Sequence, residues 1–146
     1  MDTLETIKKR FSDRIKNIKI HSDIRIYIEI DKKDLLDFAK FIFNDMDARF
    51  ITATGVDNLD SMEVLYHFSI DREDVIVSLR VLLDREDPVI ESLTPVVKGA
   101  LNIEKEMYEL LGIKFLNHPE LKRFLLTEEY PEGVFPLRKD SQKGKK

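Results

Sequence analysis

The sequence predicts an α+β fold, with an antiparallel sheet of about four strands, helices packed on one face and an extended C-terminal segment. Two patterns predict the layers. Segments that alternate apolar and polar residues follow one another across short polar turns, as strands do. Segments with apolar residues at helical spacing lie before, between and after them. Past Gly112 both periodicities fade, and the prolines and glycines there predict an extended chain.

The N-terminal part predicts a helix, a hairpin and a second helix. Residues 3–16 carry apolar side chains at helical spacing, namely Leu4, Ile7, Phe11 and Ile15. Isoleucines then alternate with polar residues over 24–30, which is the pattern of a half-buried strand. Residues 18–20 extend this strand into a hairpin. Asp31 is placed to cap a helix over residues 32–44, which has an apolar face.

Three further strands are predicted near residues 49–56, 62–70 and 74–83. The polar runs 57–60 and 71–74 form turns between them. Because these links are too short for parallel crossovers, we expect an antiparallel meander.

One more helix is predicted before the extended segment. Thr94 and Pro95 fit an N-cap followed by proline at the first helical position. The helix would run over residues 95–111 and end at Gly112 as its C-cap.

The chain is therefore divided into three parts. We expect an α+β domain over residues 1–112, an extended docking segment of the same domain over 113–140 and a basic tail over 141–146. The docking segment has large apolar side chains without periodicity. They must pack either on their own sheet or on another protein.

Charge is unevenly spread along the chain. The net charge is −4, but residues 138–146 hold five basic side chains and one acid, which leaves −8 for the remainder. An acidic body argues against nucleic-acid binding. The basic end could contact an acidic partner or anionic lipid, or could simply be solvated.

Signals for chemistry are sparse. The sequence has no cysteine, which excludes disulfides, iron–sulfur ligation by this chain and thiol catalysis. His21, His67 and His118 show no metal-ligand spacing, and no glycine-rich phosphate motif occurs. No signal peptide or membrane-spanning run is evident, so a soluble, cytoplasmic protein is expected. We expect no catalytic residue, no metal and no cofactor.

Several glutamates are candidate acid–base groups, and they are Glu104, Glu106, Glu109, Glu128 and Glu129. Glu106 and Glu109 lie three residues apart and share a helix face. Spacing alone favours a solvated helix surface over a catalytic site. An alternative hypothesis is a stand-alone soluble enzyme that uses Glu106 or Glu109 with His118, and another is a soluble adaptor protein.

One run of sequence resembles a known family. Residues 104–119, EKEMYELLGIKFLNHP, are similar to the signature of the complex I 30 kDa subunit, also called the C subunit of NADH dehydrogenase. Further matching elements are Thr54–Asp57, Tyr66–Phe68, Ser92, Thr94, Leu121–Leu126 and Pro136–Asp140. The family includes the related subunit of energy-converting, membrane-bound Ni–Fe hydrogenases. The resemblance covers about residues 24–140.

The sequence departs from the family pattern at four positions. Lys105 stands for an arginine and Glu109 for an aspartate. Asn102 stands where many members have tryptophan, and Asn117 replaces the glycine before His-Pro. Lysine cannot form the two-pronged hydrogen bond of arginine. These changes favour a divergent branch with a hydrogenase-type or other host that is not linked to NADH.

The resemblance implies an accessory role without a cofactor. Such a subunit would brace the large subunit, which is of the 49 kDa or Ni–Fe hydrogenase type, beside the small iron–sulfur subunit. It would lie in the peripheral arm at the cytoplasmic face of the membrane, which it would contact only through the complex. The host would be an energy-converting hydrogenase or an NADH or F420H2:quinone oxidoreductase. The expected partner-interface residues are Glu104, Lys105, Glu106, Glu109, His118, Pro119, Arg123, Pro136, Leu137, Arg138, Lys139 and Asp140.

Overall fold

A computed structural model describes residues 2–120 of the chain. Its helices are α1 (Thr3–Phe11), α2 (Leu35–Lys40) and α3 (Leu101–Leu111). Its strands are β1 (Ile15–Ser22), β2 (Arg25–Ile30), β3 (Arg49–Asp57), β4 (Ser61–Ile70), β5 (Val75–Asp84), β6 (Val89–Glu91) and β7 (Lys114–Leu116). The predicted α+β class is confirmed.

The main sheet has five strands in the order β1-β2-β5-β4-β3. The β1–β2 hairpin and the β3–β4–β5 meander are antiparallel, as the sequence predicts. The two units join through a parallel pairing of β2 with β5, in which Ile28 lies opposite Leu79. These two strands are far apart in sequence, so no local pattern could indicate their contact. A second, small sheet pairs β6 with β7 in parallel.

One face of the main sheet forms the core with the helices. Its strands contribute alternate apolar residues, among them Ile28, Val64, Phe68, Leu79 and Val81, all fully buried. They form one cluster with apolar residues of all three helices. Burial of this face supplies most of the driving force for folding.

The opposite face of the sheet is polar. Arg80 on β5 pairs with Glu29 on β2 and Glu63 on β4. His67 hydrogen-bonds with the buried hydroxyl of Ser78 at 2.6 Å, and burial together with the Arg25 charge lowers the pKa of His67. Cross-strand pairs of this kind fix the register of the sheet.

Helix boundaries differ from the sequence prediction at three places. Of the helix predicted over residues 32–44, only Leu35–Lys40 is α-helical, with a 3-10 turn over Lys32–Asp34 before it and a π-helical turn over Phe41–Asp45 after it. Helix α1 ends at Phe11, and Ile15 belongs to β1. Helix α3 starts at Leu101, because the N–H groups of residues 96 and 97 both donate to the carbonyl of Leu93. Thr94 and Pro95, which predicted the start of the helix, lie in that turn instead.

The chain past Gly112 continues the same packed unit. Gly112 is the predicted C-cap, with a φ of 78°, and donates its N–H to the Tyr108 carbonyl. Ile113 and Phe115 are buried, and β7 follows as extended chain. The predictions for residues 121–146 lie outside the described residues. No helix within residues 2–120 is long and apolar enough to cross a bilayer.

Candidate functional site

Helix α3 carries the charged run that the sequence singles out, and most of that run is buried. Glu104 is fully buried, Glu109 is 1% exposed and Lys105 is 6% exposed. Glu106 is half-buried at the other side of the helix. Charged side chains at such low exposure need polar partners, so they are structural elements of this helix rather than a solvated surface.

The Glu104 carboxylate ties α3 to the loop after β6. Ser92 donates its hydroxyl hydrogen to Oε1 at 2.6 Å, and the backbone N–H of Leu93 donates to Oε2 at 2.7 Å. Thr94 completes the loop, because its N–H donates to Ser92 Oγ and the two hydroxyl oxygens lie 2.8 Å apart. A hydroxyl has a single hydrogen, so Thr94 is the donor in that last contact.

Burial has an electrostatic consequence at Glu104. Loss of solvation raises the pKa of this carboxyl to about 7, although the hydrogen bonds from Ser92 and from the Leu93 N–H, together with the neighbouring Tyr66 hydroxyl, favour the ionised form. The group therefore changes charge near neutral pH, which an exposed glutamate does not do.

The Tyr66 hydroxyl lies beside this carboxylate. Burial raises the pKa of Tyr66 well above its ordinary value, and the neighbouring Glu104 raises it further. Within the described part of the chain, this hydroxyl is the one buried side-chain polar atom that lacks a hydrogen bond of normal geometry. The Tyr66 hydroxyl is thus a hydrogen-bond donor that lies next to Glu104 without a well-formed hydrogen bond.

His118 meets the same carboxylate from the other side. Its side chain is fully buried, and Nε2 lies 3.9 Å from Oε1 of Glu104. Nε2 lies 2.9 Å from the Leu101 carbonyl oxygen, and Nδ1 accepts the N–H of Glu120 at 3.0 Å. A carbonyl only accepts, so this ring carries its hydrogen on Nε2.

An apolar groove of about 190 Å³ runs between α3 and the edge strand β3. Its lining residues are Ala53, Thr54, Gly55, Ile103, Glu106, Met107, Leu110 and Leu111. The helix approaches the strand closely here, because a Cβ on Gly55 would lie 2.6 Å from Leu111 Cδ1. Glycine at this position lets the helix sit on the strand.

The structure places the predicted interface residues in two environments. Glu104, Lys105, Glu109 and His118 are held inside the domain, whereas Glu106 lines the groove and Pro119 is exposed. The remaining predicted interface residues lie outside the described part, and they are Arg123, Pro136, Leu137, Arg138, Lys139 and Asp140. Among residues 2–120 no group of three or more His, Asp and Glu side chains could hold a metal ion.

Two parts of the Glu104 cluster carry signals that sequence analysis could have used. Tyr66 lies on the apolar face of β4, and a buried tyrosine hydroxyl normally needs a partner. Ser92 and Thr94 form a short hydroxyl pair ahead of a helix that contains a glutamate in its first turn. Neither signal identifies Glu104 as the partner, because the contacts join different elements of the fold and no periodic pattern relates those elements.

Comparison with known proteins gives consistent matches. The family described as respiratory-chain NADH dehydrogenase, 30 Kd subunit, matches residues 28–146. The chain is 34% identical over 140 residues to the C subunit of F(420)H(2) dehydrogenase from Methanosarcina mazei, covering 94% of this chain and 88% of that protein. It is 33% identical over 144 residues to the C subunit of NADH-quinone oxidoreductase from Roseiflexus sp., covering 94% and 80%.

The fold also occurs in a solved respiratory assembly. A chain of the membrane-bound sulfane sulfur reductase, an archaeal respiratory membrane complex, superposes with a TM-score of 0.82 at 15% identity, covering 94% of this chain and 82% of that chain. This likeness shows a shared fold. With the family match over residues 28–146 and the relatives above 30% identity, the chain belongs to the family of the respiratory-chain NADH dehydrogenase 30 kDa subunit.

Proposed function

We propose that this chain is a non-catalytic accessory subunit of a membrane-bound, complex-I-like oxidoreductase, and that it braces the large subunit in the cytoplasmic peripheral arm. The host class includes F420H2 and NADH dehydrogenases and energy-converting Ni–Fe hydrogenases. Relatives named as the C subunits of F420H2 and NADH-quinone enzymes support this proposal. The partners would be the large subunit and the small iron–sulfur subunit.

The observation that carries the proposal is the burial of the signature carboxylates. Both carboxylate oxygens of Glu104 accept hydrogen bonds from the loop after β6, and Glu109 is 1% exposed. A general acid or base must reach a substrate, and these groups are enclosed by the protein's own backbone and side chains. They are suited to holding helix α3 rigid, so that its outer side presents a fixed surface.

The outer side of α3 has the character of a partner-binding surface. The groove beside it is apolar, with Glu106 as its charged member, and Leu110 is half-buried at its rim. Apolar concavities with a few charged groups are common in protein interfaces. We assign direct contact with the large subunit to Glu106, to Pro119 and to the predicted C-terminal residues. Glu104, Lys105, Glu109 and His118 would support that contact from beneath.

The alternative of a stand-alone enzyme receives no geometric support. Glu106 lines the groove, whereas Glu109 and His118 are buried and do not line it. In the part of the chain that the structure describes, the groove therefore does not bring the three groups together where a substrate could meet an acid and a base.

A groove variant with a matched control tests the proposal. Leu110→Asp places a charge at the rim of the groove, and Ile20→Asp places the same charge on a 63% exposed apolar residue of β1, the opposite edge strand. Each tagged variant is purified from detergent-solubilised native membranes, and its partners are quantified by mass spectrometry.

We expect the wild-type chain and Ile20→Asp to recover the large and iron–sulfur subunits in equal amounts. Leu110→Asp should recover at least tenfold less, since burying an unpaired charge opposes binding by more than about 1.4 kcal/mol. Equal recovery by all three chains would place the interface elsewhere. Circular dichroism of each variant shows that the domain has folded.

A further inference from the structure

The N–H at Nε2 of His118 has two acceptors within reach. It now donates to the Leu101 carbonyl at 2.9 Å, and Glu104 Oε1 lies 3.9 Å away. A neutral carboxyl is a modest acceptor, whereas a carboxylate forms a charge-assisted hydrogen bond about twice as strong. The choice between the two acceptors therefore depends on whether Glu104 carries a proton.

The Tyr66 hydroxyl is a second hydrogen-bond donor beside Glu104. It is fully buried beside Glu104 without a hydrogen bond of normal geometry in the described part of the chain. Leaving such a group unsatisfied is unfavourable, so a state of the site that satisfies it gains stability relative to this one. Ionisation of Glu104 would make the neighbouring carboxyl a stronger acceptor for this hydroxyl.

We propose that Glu104 is a buried proton-binding site and that His118 transmits its state to the backbone at Pro119 and Glu120. With the proton bound on Oε1, the carboxyl donates to the Ser92 hydroxyl oxygen and the Ser92 hydroxyl donates to Thr94, while His118 holds the Leu101 carbonyl at the distance seen here. When the proton leaves, the Nε2–H moves about 1 Å toward Glu104 to reach hydrogen-bond distance, and the Tyr66 hydroxyl turns to the same carboxylate.

The surroundings of Glu104 suit this role. Within residues 2–120, the titratable groups that face it from other elements are Tyr66 from β4 and His118 from the residues after β7. The loop after β6 contributes neutral groups, namely the Ser92 hydroxyl, the Leu93 N–H and Thr94. Lys105 and Tyr108 are its neighbours on its own helix. The pKa of about 7 places the change of state near neutral pH.

The same histidine connects this site to the chain beyond it. Nδ1 of His118 accepts the N–H of Glu120, and Pro119 lies between the two residues. A ring that shifts toward Glu104 must lengthen or bend this bond. Proton release would thereby loosen the backbone at Glu120. This inference concerns the chain's own fold and does not depend on the identity of the host complex.

A titration of the full-length chain by nuclear magnetic resonance tests the inference. The Glu104 carboxyl carbon, the ring nitrogens of His118 and the amide of Glu120 are followed from about pH 5.5 to about pH 8.5, a range that brackets a midpoint near neutrality. Glu104→Gln removes the titrating group while keeping an acceptor and a donor in its place. Glu106→Gln, on the same helix and half-buried, is the matched control. Tyr66→Phe removes the hydroxyl donor beside Glu104.

We expect the His118 and Glu120 signals to move with the midpoint of Glu104, in the wild-type chain and in Glu106→Gln. Glu104→Gln should abolish that movement. Tyr66→Phe should raise the Glu104 midpoint by about one pH unit, a tenfold change in proton affinity, because the carboxylate loses a donor. The inference is overturned if Glu104 titrates as an ordinary exposed glutamate, below about pH 5, or if His118 and Glu120 do not respond when it titrates.

Discussion

Glu104 Oε2 accepts the backbone N–H of Leu93 at 2.7 Å, and this contact joins the first turn of helix α3 to the loop that follows β6. The same carboxyl accepts the Ser92 hydroxyl through Oε1. Helix α3 has no side-chain cap at its N-terminus, so this anchor is what fixes the start of the helix against the β6–β7 sheet. The rigidity of the proposed partner surface depends on it.

The first prediction concerns stability against pH. The pKa of Glu104 is about 7 in the folded chain against an ordinary value of 4.5, so the folded state binds the proton more tightly. Its stabilising contribution is complete below pH 4.5 and is lost as the pH rises through 7. The free energy of unfolding should fall by about 3 kcal/mol across this window.

Glu104→Gln should remove this dependence. The variant stays neutral at all pH values, so the difference between it and the wild-type chain should grow in its favour as the pH rises from about 4.5 to about 8. Urea unfolding at a series of pH values across this range measures it, with Glu106→Gln expected to parallel the wild-type chain. If Glu104→Gln is instead less stable than wild type at the alkaline end, the carboxylate is the required form.

The second prediction concerns the close approach at Gly55. A Cβ there would lie 2.6 Å from Leu111 Cδ1 and 3.2 Å from Met107 Sδ, so Gly55→Ala must push the helix or the leucine side chain. We expect a loss of about 1–2 kcal/mol in the free energy of unfolding.

Gly99→Ala is the matched control, because the nearest atom to a Cβ at that position is 3.9 Å away. It should be neutral or slightly stabilising, since alanine restricts the unfolded chain. Thermal unfolding of the two variants side by side gives the comparison. Equal melting temperatures would mean that α3 does not press on β3 as the structure shows.

The third prediction concerns the ion pair of Arg85 with Asp57. The guanidinium donates to both carboxylate oxygens, at 3.0 and 2.8 Å, and the side chains are only 13% and 2% exposed. Arg85→Lys keeps the charge and removes the paired geometry, so we expect a loss of about 1–3 kcal/mol in the free energy of unfolding.

The exposed pair of Arg49 with Asp71 is the control. It has similar paired geometry, but both side chains are 63% exposed. Solvent screening predicts no measurable change in the urea midpoint for Arg49→Lys. If the two lysine variants behave alike, burial does not determine the strength of these pairs.

Much of the fold was predictable from local patterns. Alternation identified the strands, short polar turns made them antiparallel, and Gly112 marked the end of α3. The parallel β2–β5 contact was not predictable, because it depends on packing between distant segments. The start of α3 was missed because a turn at Leu93 satisfies the backbone groups that a helix would have used.

The candidate site was predictable in its residues but not in their roles. The signature run identified Glu104, Glu109 and His118, and spacing alone gave a solvated helix surface for these glutamates. Burial reverses that interpretation for Glu104 and Glu109, and burial depends on what packs over the helix. Sequence periodicity does not contain that information.

Recovery of the tagged full-length chain from detergent-solubilised native membranes tests the proposed accessory role without any substitution. Mass spectrometry then determines which proteins accompany it and in what ratio. We expect one copy of this chain with one large subunit and one small iron–sulfur subunit of a respiratory oxidoreductase. Recovery of the chain alone, with neither subunit, would contradict the proposal.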